Sequence, residues 1–135
     1  MKTQNEILTD IYKIIKDSPI NDLNGGIYKK TRKTASILED CVISLISGVN
    51  GKFLQDAGLY VKIFYNDLEE NNTFSEDDLK GQQMELLLFN LSETLLKTNG
   101  YSFDIQSRET YTEKVLDDAI KQHYAILKIN FKIII

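Results

Sequence analysis

SILEDCVISLIS, Ser36 to Ser47, is the stretch on which the fold turns. Read as a strand, it sends Cys41, Ile43 and Leu45 to one face and Val42, Ser44 and Ile46 to the other. A helix over Ile37 to Ile46 is the competing reading. The β-branched Val42, Ile43 and Ile46 favour a pleated surface, and Ser44 and Ser47 help a helix little, so the strand is preferred.

Working outward, the residues before it read GGIYKKTRKTA, a short strand over Ile27 to Thr31 carrying Lys29, Lys30, Arg32 and Lys33. Lysines commonly protect an exposed sheet edge, and alternation sends neighbouring side chains to opposite faces. The other reading is a basic contact surface for an acidic partner. After it, Gly48-Val49-Asn50-Gly51 makes a turn, and Gly58 to Tyr65 alternates Leu59, Val61, Ile63 and Tyr65 against Tyr60, Lys62 and Phe64. That pattern is a β-hairpin with a loose connection.

Upstream, Ile7, Leu8, Ile11, Ile14 and Ile15 form one stripe of a 3.6-residue period, a helix ending near Asp17-Ser18 because Pro19 disfavours helical geometry in its predecessor. Asn21 to Gly26 is a loop. Downstream, Asn66 to Asn72 is a solvated connector that includes Asp67, Glu69 and Glu70. Ser75 offers an N-cap with acids behind it in the first turn. The second helix has Met84, Leu87, Leu88, Leu91 and Leu95 as its buried stripe, widened by Leu86 and Phe89 and closed at Thr98-Asn99-Gly100.

Two strands complete the chain, Tyr101 to Gln106 and His123 to Ile133, with Thr112 to Lys121 open between helix and irregular connection. The sum is a single α+β domain, residues 1–135. It has a mainly antiparallel sheet of four to five strands with two helices packed on one face, in the order α-β-β-β-α-β-β. Tyr60, Phe64 and Tyr124 fall opposite the main apolar stripes, so the second sheet face must meet a helix, a partner or water.

Composition narrows the function. A chain of 135 residues buries about two-thirds of its unfolded surface, enough for one core. Its net charge of -4 argues against a dedicated nucleic-acid binder, and no sequence-specific nucleic-acid partner is expected. No run approaches the roughly 20 apolar residues that span a bilayer, and the N-terminus lacks the apolar core of a signal peptide. The expected location is therefore the cytoplasm.

Lone Cys41 has no internal disulfide partner, and lone His123 is read as a sheet or interface residue. The acidic groups at Glu39-Asp40, Asp67-Glu69-Glu70, Glu76-Asp77-Asp78 and Asp117-Asp118 lack EF-hand spacing and read as loops and caps. Gly25-Gly26 is not followed by the Gly-Lys-Ser/Thr of a phosphate loop. No catalytic, metal or cofactor-binding residue is expected. The interaction candidates are Lys29, Lys30, Arg32, Lys33, Asp67, Glu69 and Glu70.

The order NEILTDIYKIIKDSPI, NGGIYKKTRK, SILEDCVISLIS, GLYVKIFYNDL, YSFDIQSRETY and HYAILKINFKIII covers almost the whole chain. It resembles the tail terminator and tail-completion proteins of long-tailed phages. The most distinctive fragments are the Gly-Ile-Tyr strand, Ser36-x-x-Glu39-Asp40 and His123-Tyr124-Ala125. The resemblance implies a non-enzymatic α+β subunit made in the host cytoplasm and carried into the virion tail. Its copies would form a homo-oligomeric ring, typically a hexamer, at the head-proximal end of the tail tube. Such a ring stops tube polymerisation, so the implied partners are the tail tube protein and the head-tail connector protein. A small interaction module of regulatory or immunity type, binding one protein partner, is the alternative.

Overall fold

A computed structural model describes residues 2–46, 53–54 and 56–134 of the chain. The expected turn at Gly48 to Gly51 lies outside them. Along the sequence run β1 (Lys2–Thr3), α1 (Gln4–Lys16), β2 (Ile27–Lys29), β3 (Cys41–Ile46), β4 (Phe53–Leu54) and β5 (Asp56–Asn66). Then come β6 (Leu68–Glu70), β7 (Thr73–Ser75), α2 (Asp78–Leu96), β8 (Tyr101–Lys114) and β9 (Gln122–Ile133). The architecture is α+β, with a five-stranded sheet in the order β2-β3-β5-β9-β8. Only β2 and β3 pair in parallel; β3 with β5, β5 with β9, and β9 with β8 are antiparallel.

Helix α1 begins at a capping box. Thr3 accepts from the Glu6 amide, and the Glu6 carboxylate reaches back to the Thr3 amide, satisfying donors that a helix start leaves unpaired. Ile7, Leu8, Ile11 and Ile15 are fully buried, and the helix stops at Asp17 before a 3-10 turn over Pro19–Asp22. α1 packs on β2 and β3, whereas α2 packs on β5, β8 and β9. Both cover the same sheet face, so Cys41, Ile43, Leu59, Val61, Leu127 and Ile129 join one core with Met84, Leu88, Leu91 and Leu95.

Several sequence expectations shift. β3 starts at Cys41 because residues 36–40 are drawn into a loop. The N-cap of α2 is Asp77, which accepts from the Lys80 amide; Ser75 instead ends β7. Leu86 and Phe89 do not widen the buried stripe: Leu86 is exposed on the far side of α2 and Phe89 on its flank. α2 closes at Lys97, and Gly100, with φ +88°, sits in the turn before β8. The open segment Thr112 to Lys121 resolves into the end of β8 at Lys114 and a turn beyond it, with no helix. The connector after Asn66 folds into a hairpin, β6 with β7, all six residues exposed.

One irregularity shapes the sheet. Between Asp104 and Glu109 the β8–β9 register shifts, so residues 105–108 bulge from the ladder. Ser107 Oγ donates to the Asp104 carbonyl and accepts from the Asn130 amide, filling the gap. The bulge turns Arg108 toward α2, where it bonds Ser92 Oγ and Glu93 and lies 4.3 Å over the Phe89 ring. No helix among the described residues is long and apolar enough to cross a membrane.

The two sides of α2 give a direct test. Leu88→Ala empties a fully buried site and should cost about 2–5 kcal/mol. Leu86→Ala trims a side chain 60% exposed and should stay within about 0.5 kcal/mol. Urea unfolding midpoints measure both, and equal losses would contradict this assignment of faces.

Candidate interaction surface

The basic segment does not act as one unit. Arg32 turns inward: its guanidinium lies 3.5 Å from the Phe64 ring centroid and 3.3 Å from Asp40 Oδ2. Asp40 is wholly buried and also accepts from Ser36 Oγ and the Gly26 amide. Burial pulls the Arg32 group below its ordinary pKa, with Asp40 opposing. Lys29 is held by Thr9 Oγ1 at 2.7 Å, beside the Tyr12 ring. Lys30 adopts φ +75°, and its side chain and that of Lys33 are exposed without hydrogen bond or ion pair among the described residues. Sequence spacing placed four cations together; the structure leaves two of them unengaged among the described residues.

Cys41 follows Asp40 and is buried, and desolvation, reinforced by the Asp40 charge, pushes its thiol up to about 12. A thiol held this far from ionisation is a core side chain, not a nucleophile at neutral pH.

The sheet face away from the helices carries a lattice of rings and cations. Phe64 and Tyr124, cross-strand neighbours, have centroids 5.4 Å apart. Lys62 lies 4.6 Å over Tyr124, and Lys128 sits between Tyr60 at 5.2 Å and Tyr111 at 5.3 Å. Tyr124 donates to Glu113, and burial together with that carboxylate raises its phenol to about 12. Long cationic stems thus shield rings that face no helix. Tyr60, Phe64 and Tyr124 stand where strand alternation put them; Tyr111 and Glu113 were missed because the sequence pattern carries the strand only from Tyr101 to Gln106 and leaves Thr112 to Lys121 open, whereas β8 runs on to Lys114.

The acidic candidates divide as well. Asp67, its side chain 4% exposed, bonds His123 Nδ1 and anchors the root of the hairpin. Glu69 and Glu70 project from the hairpin with no ion pair among the described residues. His123 stacks near Tyr65, whose hydroxyl donates to Glu76 at 2.9 Å. Burial, then this bond, raises the Tyr65 phenol; desolvation also pushes Glu76 upward, but hydrogen bonds with Tyr65, Thr112 and Asp78 outweigh that and lower its pKa.

Beside these groups a cleft of about 510 Å³ is lined by Phe74, Ser75, Glu76, Lys114, Lys121 and His123, among others. No three His, Cys, Asp or Glu side chains converge as metal ligands among the described residues. Two acids and two lysines balance one another there, and the Asp67 contact fixes the His123 ring as a strut for the hairpin.

A scan against protein-family models found no match, and a search of curated proteins found no similar sequence.

Asp40→Ala should cost about 3–5 kcal/mol, since it leaves the mostly buried Arg32 charge unpaired. Lys33→Ala, on an exposed side chain, should shift stability by no more than about 0.5 kcal/mol. Denaturant unfolding of the two variants separates the structural cation from the surface one.

Proposed function

We propose that the protein is a structural, non-enzymatic subunit of a phage or prophage tail, of tail-terminator type. Its copies form a ring at the head-proximal end of the tail tube, stop tube growth and meet the head-tail connector. The observation that carries this reading is the presence of several unlike apolar patches on one chain. Ile37 and Leu38 are exposed in the loop before β3, Leu68 and Phe74 on the hairpin, and Leu79 and Leu86 on α2. A twofold dimer buries one patch against itself, whereas unlike patches suit heterologous contacts, which form a ring where the rotation between copies closes and a filament where it does not. The sequence resemblance to tail terminators adds the place of action.

Native mass spectrometry over a concentration series, with and without magnesium, and electron microscopy of the protein added to tail tubes test the proposal. A single closed ring, alone or on one tube end, is the expected result. Monomer at every concentration together with no binding to tubes overturns it, and capture of one defined protein partner by that monomer would favour the interaction module.

A further inference from the structure

We infer that the β6–β7 hairpin of one copy docks on the basic loop, residues 30–38, of the next copy, an inference that rests on the ring reading and names its contact. The hairpin is an arm. Leu68, paired with Ser75, and Glu70, paired with Thr73, share one of its faces, so an apolar group and an acid stand side by side. Leu68 is 53% exposed, and neither Glu69 nor Glu70 has an ionic partner among the described residues. The loop offers the complement: Lys30 and Lys33 exposed and unpaired among the described residues, with Ile37 and Leu38 exposed beside them.

The loop runs from the end of edge strand β2, where Lys30 lies level with the middle of β5, to the C-terminal end of β5. There Gln122 Nε2 donates both to the Leu38 carbonyl and to Asn66 Oδ1 at the root of the arm. The loop continues from edge strand β2 and leans through Arg32 on Phe64, near the C-terminal end of β5. The arm leaves β5 after Asn66 and shares its cleft with Lys114 of the other edge strand, β8, and with Lys121 and His123 at the start of β9. The arm's cleft lies on the β8 side and Lys30 at the β2 edge, and the two elements are complementary in charge and in their apolar groups, so the arm of one copy meets the loop of the next. Both are rigidly rooted: the arm by Asp67 on His123, the loop by Asp40 on Arg32, Ser36 and Gly26. Preorganised contact elements lose little conformational freedom on binding.

Charge reversal tests the contact. E69K/E70K reverses the arm and K30E/K33E the loop; all four positions are exposed, so circular dichroism should show both variants folded. Under conditions where the wild type assembles, in solution or on tail tubes, each variant alone should lose assembly by at least about tenfold, because like charges then face each other. An equimolar mixture should recover it as rings alternating the two masses, since each reversed arm meets a reversed loop. K13E/K16E, which changes net charge as much as the loop variant does but lies on α1, should assemble normally.

Wild-type rings that survive either reversal, variants that fail to recover on mixing, or an equal loss in K13E/K16E overturn the docking while leaving the ring in place. A wild type that forms no ring and binds no tube overturns the ring reading itself, and the docking with it.

Discussion

A carboxylate with no exposed surface, Asp40, holds one end of this protein together. Burying an ionised group is costly unless it is paired and hydrogen-bonded. Asp40 meets that demand by recruiting Arg32, Ser36 and the Gly26 amide from one side, while its carbonyl accepts from the Phe64 amide on the other. Those bonds join β2 to β3, curl the intervening loop and bring Arg32 onto the ring of Phe64. The tie between β2 and β3 at the sheet edge and the cover that Arg32 gives Phe64 both follow from that one group.

The other side of the same end depends on close approach. A Cβ at position 81 would lie 2.7 Å from the Tyr65 hydroxyl, so Gly81 lets α2 sit directly on the end of β5. Tyr65 can then reach Glu76 just ahead of the helix, and His123 stacks near it with Asp67 on its Nδ1. The hairpin therefore rises from a fixed base, although none of its own residues is buried. Stability of the core and presentation of the arm are thereby linked through Tyr65.

Much of this was legible in the sequence because the core obeys simple periods. The stripe from Ile7 to Ile15, the alternation of Leu59 to Tyr65 and that of Ala125 to Ile133 fall where period and pleat require. Leu86 was misplaced because leucine in a helix invites burial, yet it lies two residues from both Met84 and Leu88, on the opposite side of a 3.6-residue turn. The hairpin was hidden by its polarity. Its one local signal was Asn71-Asn72, both with positive φ, which fits the tight two-residue connection favoured between antiparallel strands. The surface roles were less legible still: Arg32 and Lys33 are neighbours in sequence, and only the distant Asp40 and Phe64 make one of them internal.

The bulge at residues 105–108 bears on what the molecule avoids. β8 is a 14-residue edge strand, and an uninterrupted strand of that length would present a template on which further chains could add without limit. Displacing four residues from the ladder and facing the remainder with Glu109, Glu113 and Lys114 breaks that template into short pieces. Backbone-mediated stacking along this edge is thereby disfavoured, and any contact made there falls to side chains, whose shape and charge discriminate between neighbours as a bare ladder does not.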